Sequence, residues 1–286
     1  MFTWTTTVSG DSAESVSSIR RMTSAKTDST VETRNSHMVA SLHSVSYSYG
    51  RGTALDQVSF AIPDGITGLL GPDGAGKSTL MRLLATLELP TSGVVVVLGQ
   101  ATSSRWGRTC IRRRSGYLAQ QFPLAKRKRI LDSVAYSGWV NGLSRDEAFD
   151  SAVAALDAVG LSGIGNQRCR ALSGAERQRL GVAMAISHRP DFLILDEPTA
   201  GLDPEARTDL RAVLKDIAAS TSVLLSTHLV DDIVHLADQV VVLDKGKLLF
   251  SGPVLELERG VVAIEEDGFA TPLERSYVSL LRRNRS

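Results

Sequence analysis

Gly71-Pro72-Asp73-Gly74-Ala75-Gly76-Lys77-Ser78-Thr79 is the stretch that decides the fold. It fits G-x-x-x-x-G-K-[ST], a loop whose glycines let several backbone N–H groups turn toward one point. The flanks fit as well. Ile66-Thr67-Gly68-Leu69-Leu70 is a short apolar run suited to a buried strand, and Leu80-Met81-Arg82-Leu83-Leu84-Ala85 has helical spacing. Strand, glycine loop and new helix together aim amides and a helix dipole at one site, where a phosphate can be cradled. Lys77 can reach the outer phosphates, and the Ser78 hydroxyl can ligate Mg²⁺.

A second stretch belongs with the first. Phe192-Leu193-Ile194-Leu195 is an apolar strand that ends in Asp196-Glu197-Pro198-Thr199. Two carboxylates there are costly unless they bind something. In a parallel sheet, ligands sit at the carboxyl ends of strands, so the phosphate loop and the acids share an edge. Asp196 can then hold Mg²⁺ through water, and Glu197 can polarise an attacking water. Val223-Leu224-Leu225-Ser226-Thr227 is another buried strand, and His228 ends it at the same edge.

Working outward, Leu42–Tyr49 and Ala54–Ile62 read as strands around a glycine turn, and Gly93–Leu98 as a β-branched strand. Tyr49, before that turn, is placed to stack on a base or to cap a core edge. Tyr117-Leu118-Ala119-Gln120 closes a further strand, and Gln120 falls where the chain leaves the sheet. From Ile130 to Gly160 the period turns helical. Leu131, Val134, Ala135, Trp139 and Val140 form one stripe, and a second helix runs through Val153, Leu156 and Val159. Ser144 with Glu147 reads as a capping box, Ser173 as an N-cap, and Asp203 as an N-cap followed by Pro204. Asp244-Lys245-Gly246 marks a hairpin, and Leu273–Leu281 a short helix.

The fold expected is α/β: a phosphate-loop NTPase core with a mostly parallel sheet, an N-terminal antiparallel β subdomain and an inserted helical subdomain over roughly 122–170. Residues 1–38 are polar and rich in Ser and Thr, with no sustained apolar period, and are expected to form an unpacked tail. Met38 offers an alternative start. The main domain is expected over 39–253, with a short extension over 254–286.

The chain has 286 residues, 43% of them hydrophobic, which allows one or two domains with full cores. Lys plus Arg number 32 against 31 Asp plus Glu, so no basic field suggests a nucleic-acid partner. The runs Arg112-Arg113-Arg114 and Lys126-Arg127-Lys128-Arg129 read as solvated. Cys110 and Cys169 lack metal-site spacing and fit a reducing compartment. No run approaches the ~20 apolar residues that span a bilayer, so a membrane role is expected to come through a partner.

With these segments in hand, the chain resembles the nucleotide-binding subunit of ATP-binding-cassette transporters over about 39–253. The motifs stand in family order: phosphate loop Gly71–Thr79, glutamine loop at Gln120, signature Leu172-Ser173-Gly174-Ala175-Glu176, acids Asp196-Glu197, dimer-contacting loop Gly201-Leu202-Asp203, and switch histidine His228. The resemblance implies two such subunits, a second copy or a related ATPase, paired head to tail around two ATP. Ser173, Gly174 and Ala175 would then face the γ-phosphate held by the other subunit's phosphate loop. Glu197 would be the general base and His228 the γ-phosphate sensor. Gln120 would join the Mg²⁺ and water network, and Tyr49 would stack on adenine. Partners would be integral membrane permease subunits, at the cytoplasmic face of the membrane. Leu195–Pro204 and Ser226–Asp232 resemble exporters of drugs, antibiotics and polymers. The alternative is a non-transport relative acting on a soluble partner in translation or DNA repair. The chain departs from the family pattern at Ala175 (usually glycine), Glu176 (often glutamine) and Asp73 (usually asparagine). None of these touches Lys77, Ser78, Asp196, Glu197 or His228, so hydrolysis is still expected.

Overall fold

The computed structural model describes residues 38–50, 52–259 and 271–285. Apart from Met38, the expected N-terminal tail lies outside the described residues.

Two sheets organise the chain. The strands β1 (Met38–Tyr49), β2 (Gly52–Pro63), β4 (Ser92–Val97) and β5 (Gln100–Ala101) form an antiparallel sheet in the order β2-β1-β4-β5. The second sheet runs β10 (Lys247–Pro253), β9 (Gln239–Asp244), β3 (Ile66–Leu70), β8 (Ser222–Thr227), β7 (Phe192–Leu195), β6 (Ser115–Leu118). It is parallel throughout except for the β9–β10 hairpin. Its central strands are buried on both faces, which is why β7 reads as an unbroken apolar run and β3 as one interrupted only by Thr67, rather than as alternating ones. Each fully buried Leu or Ile there contributes about 2 kcal/mol of transfer free energy.

Register fixes the functional edge. Leu70 pairs with Thr227, and Leu118 with Leu195. The residues that follow β3, β6, β7 and β8 therefore leave the sheet together: Gly71, Ala119, Asp196 and His228.

Nine α-helices lie among the described residues. They are α1 (Lys77–Leu84), α2 (Arg105–Arg114), α3 (Ile130–Val140), α4 (Arg145–Ala158), α5 (Gly174–Ile186), α6 (Pro204–Ala218), α7 (Val230–Leu236), α8 (Val254–Arg259) and α9 (Pro272–Arg285). One core joins α1 to the antiparallel sheet, a second joins α3 to α6 with the parallel sheet, and a third gathers Ile233, Leu257 and Leu273. No described helix is long and apolar enough to cross a membrane.

In the helices over 130–158 the apolar stripe does not face the core throughout: Trp139 and Val140 are 56% and 58% exposed, and Val153 on the second helix is 56% exposed. The buried face of α3 is Ile130, Ser133, Val134, Ala135 and Gly138, and that of α4 is Ala148, Ser151, Ala152, Ala155 and Leu156. Close packing selects small residues here. A Cβ built on Gly138 would lie 3.4 Å from the Ser187 carbonyl oxygen, and the Ser151 hydroxyl donates to that same oxygen. The Arg112–Arg114 run ends α2, where cations suit the helix dipole. Arg112 is also anchored rather than simply solvated, because it donates to both oxygens of Thr86 at 2.7 Å.

Candidate active site

The phosphate loop is held from behind. Gly246, in the β9–β10 turn, donates its amide to the Ala75 carbonyl at 3.0 Å, and its own carbonyl accepts from Asp56. Gly76 has a φ of 103°, and a Cβ there would meet the Ala54 carbonyl at 2.6 Å, so only glycine fits. Gly76 caps α1 without a side-chain hydrogen bond, which leaves the first amides of the helix open.

Lys77 is 5% exposed, and its Nζ folds back over the loop, donating to the carbonyls of Gly71 (2.6 Å) and Pro72 (3.2 Å). The same ammonium lies 3.6 Å from Glu197 Oε1. Two segments 120 residues apart thus meet across one charge pair. Glu197 Oε2 accepts from Gln120 Nε2 at 3.1 Å and lies 3.5 Å from His228 Nδ1. Asp73, Glu197 and His228 each bring one potential ligand atom within 4.8 Å of the others. The residue pattern therefore identified a real convergence of the loop lysine, the acid, the glutamine and the histidine.

Glu197 is 8% exposed, with a φ of 50°, in the left-handed region that suits few non-glycine residues. Ser226 holds it there. The Glu197 amide donates to Ser226 Oγ at 2.9 Å, and that hydroxyl donates to Asp196 Oδ1 at 2.7 Å. This role was missed: Ser226 reads from sequence as one more residue of a buried strand, and its partners lie 29 and 30 positions away.

The chemistry of the donor set suits Mg²⁺. Asp196 is 2% exposed, and its Oδ2 takes no hydrogen bond among the described residues, while Ser78 and Gln120 are exposed to the same edge. Burial, aided by the Asp196 carboxylate, pushes the nearby Tyr117 hydroxyl up to about 12, so it stays neutral beside the acids.

Other candidates stand apart from this cluster. Among the described residues, no hydrogen bond or ion pair links Ser173, Gly174, Ala175 or Asp203 to the phosphate loop. Ser173 instead caps α5 in a closed capping box with Glu176, whose carboxyl is held below its ordinary value by hydrogen bonds from the Ser173 amide and hydroxyl. Asp203 caps α6 by accepting from the Ala206 amide. A Cβ on Gly174 would meet nothing within 4 Å, so nothing in this chain requires glycine there. Tyr49 is 51% exposed and stands edge-on to Tyr47, with centroids 4.8 Å apart.

A family model described as ABC transporter matches residues 55–200. The energy-coupling factor transporter ATP-binding protein EcfA2 of Streptococcus thermophilus is 37% identical over 247 residues, covering 82% of this chain and 88% of that protein. The methionine import ATP-binding protein MetN of Mesorhizobium japonicum is 39% identical over 211 residues, covering 72% of this chain and 58% of that protein. Among solved structures, a dimeric ATP-binding cassette in a post-hydrolysis state, bound to ADP and Pi, has a TM-score of 0.67 at 25% identity. That match covers 75% of this chain and 98% of the other.

Proposed function

The chain belongs to the ABC transporter family as an ATP-binding, ATP-hydrolysing subunit, and on that premise we propose that its acid edge forms one half of a two-chain ATP sandwich. The observation that carries this is the buried Glu197 carboxylate, 3.6 Å from the phosphate-loop lysine and flanked by Gln120 and His228.

In the proposed mechanism, the amides of the loop from Gly71 to Thr79 and the open end of α1 hold the phosphates, and Lys77 trades its loop carbonyls for phosphate oxygens. Ser78, Asp196 and Gln120 would hold Mg²⁺, which would supply charge neutralisation. Glu197 takes the proton of the attacking water. His228 reports the γ-phosphate through its contact with Glu197. Tyr49 offers its exposed ring to the base. Ser173, Gly174 and Ala175 complete the site of the other chain, and Asp203 lies at the contact between chains. The empty space beside Gly174 leaves room for an approach from outside, since a Cβ there would meet nothing of its own chain within 4 Å.

The partners proposed are membrane subunits. A cavity of about 340 Å³ between β6, α3 and α5 supports this. Ser115 and His188 are among the residues that line it. Transport direction is assigned to those subunits. The relatives reported above lend no support to the resemblance to exporters, since MetN is named for import. Their names as transporter proteins also weigh against a soluble partner in translation or DNA repair.

The test is phosphate release by the purified chain with Mg²⁺ and ATP. Glu197→Gln should retain ATP binding and lose turnover by roughly a thousandfold. Wild-type turnover in that variant would remove Glu197 from the mechanism.

A further inference from the structure

We propose that Asp232 is a positioning residue for hydrolysis, which holds the segments carrying Glu197 and His228 in one frame through the hydroxyls of Thr199 and Thr227. The inference rests on the ATPase reading above and adds a group that touches neither nucleotide nor water.

Asp232 is 0% exposed and shares the buried face of α7 with Ile233 and Leu236. A carboxylate among apolar side chains is costly unless it is fully paired. Here both oxygens are used. Oδ2 accepts from Thr199 Oγ1 at 2.6 Å and from Thr227 Oγ1 at 3.0 Å. Oδ1 accepts from Arg211 Nε at 2.8 Å and Nη2 at 2.6 Å.

The partners are placed for function. Thr199 follows Glu197 by two residues. Thr227 precedes His228, and its hydroxyl also accepts from the Leu229 amide at 2.9 Å, so the turn around the histidine is pinned on both sides. Arg211 stands on α6, the helix that begins at Asp203. One buried carboxylate therefore ties the acid-bearing segment, the histidine turn and the helix behind the dimer-contacting loop.

Ser226 and Asp232 divide the work. Ser226 holds Glu197 from its amide side, and Asp232 holds the chain just beyond it. Between the two, the left-handed Glu197 backbone is fixed on either flank. Loss of the Thr199 hydroxyl frees one flank without changing side-chain volume, and small displacements at a reacting centre are expensive in rate. A pair that served stability alone would leave the rate of each folded molecule unchanged.

The experiment compares Thr199→Val, which is isosteric but lacks the hydroxyl, with Thr199→Ser, which keeps it, in the full chain. The valine variant is expected to lose roughly tenfold in kcat with KM for ATP and affinity for a fluorescent ATP analogue within about twofold of wild type, and the serine variant to recover most of that loss. Asp232→Asn should reproduce the valine effect, and if it fails to fold, the threonine pair still decides. A folded Thr199→Val protein with wild-type kcat, whatever its Tm, overturns the proposal. A wild-type chain that binds ATP but releases no phosphate sinks the ATPase reading and this inference with it. Normal wild-type turnover together with an unaffected valine variant sinks the inference alone.

Discussion

The N-termini of α1 and α5 are built in opposite ways. At α1, Gly76 caps with no side chain, Lys77 lies buried, and no acid stands in the first turn. At α5, Ser173 and Glu176 close a reciprocal capping box that uses up donors of the first turn. Both ends are assigned to the same triphosphate, one from each chain. An open end can take an anion directly, whereas a capped end must first give up a hydrogen bond. Affinity should therefore reside at α1, and the α5 contact should govern closure of the pair.

The largest expected effect breaks the α1 side. Lys77→Ala should weaken ATP binding by roughly a hundredfold or more, read with a fluorescent nucleotide on the isolated chain. Affinity near wild type would reduce the open helix end to an ordinary turn. Next, Ser173→Ala should leave nucleotide affinity of the single chain unchanged, lower turnover roughly tenfold, and cost about 1 kcal/mol of stability through loss of the cap. Weaker binding by the single chain would show that α5 already acts within its own subunit. The smallest effect sharpens the contrast by pH. The folded Glu176 carboxyl sits below its ordinary value of 4.5, so its cap contributes above about pH 4.5 and is lost as pH falls through the lowered folded value. Protection of the first-turn amides of α5, relative to their intrinsic exchange rate, should fall on that acid side, while the first turn of α1, which has no acid, shows no matching step.

The signals that proved legible share a physical cause: each depends on neighbours close in sequence. The capping box at Ser144, the N-cap at Ser173, the Asp203 cap before Pro204 and the Lys245-Gly246 hairpin turn all appear where the residues place them. The apolar runs of β3 and β7 pointed to buried strands of a parallel sheet. Helix faces were less legible. Trp139, Val140 and Val153 are large and apolar yet face outward, while Gly138, Ala148, Ala152 and Ala155 fill the contacts, because close approach between helices rewards small volume over hydrophobicity. α2 carries few apolar residues and was not read from the sequence.

By itself, the sequence determined the phosphate loop, the strand that delivers the acids and the family to which they belong, because glycine geometry, caps and apolar periods act over a few residues. Tertiary structure alone decided that Lys77 and Glu197 meet at 3.6 Å, that Ser226 props a left-handed Glu197, and that Asp232 is buried against Thr199, Thr227 and Arg211. These contacts join segments that leave separate strands or lie on different helices, and strand order and register bring them to one edge, which no local run of residues encodes.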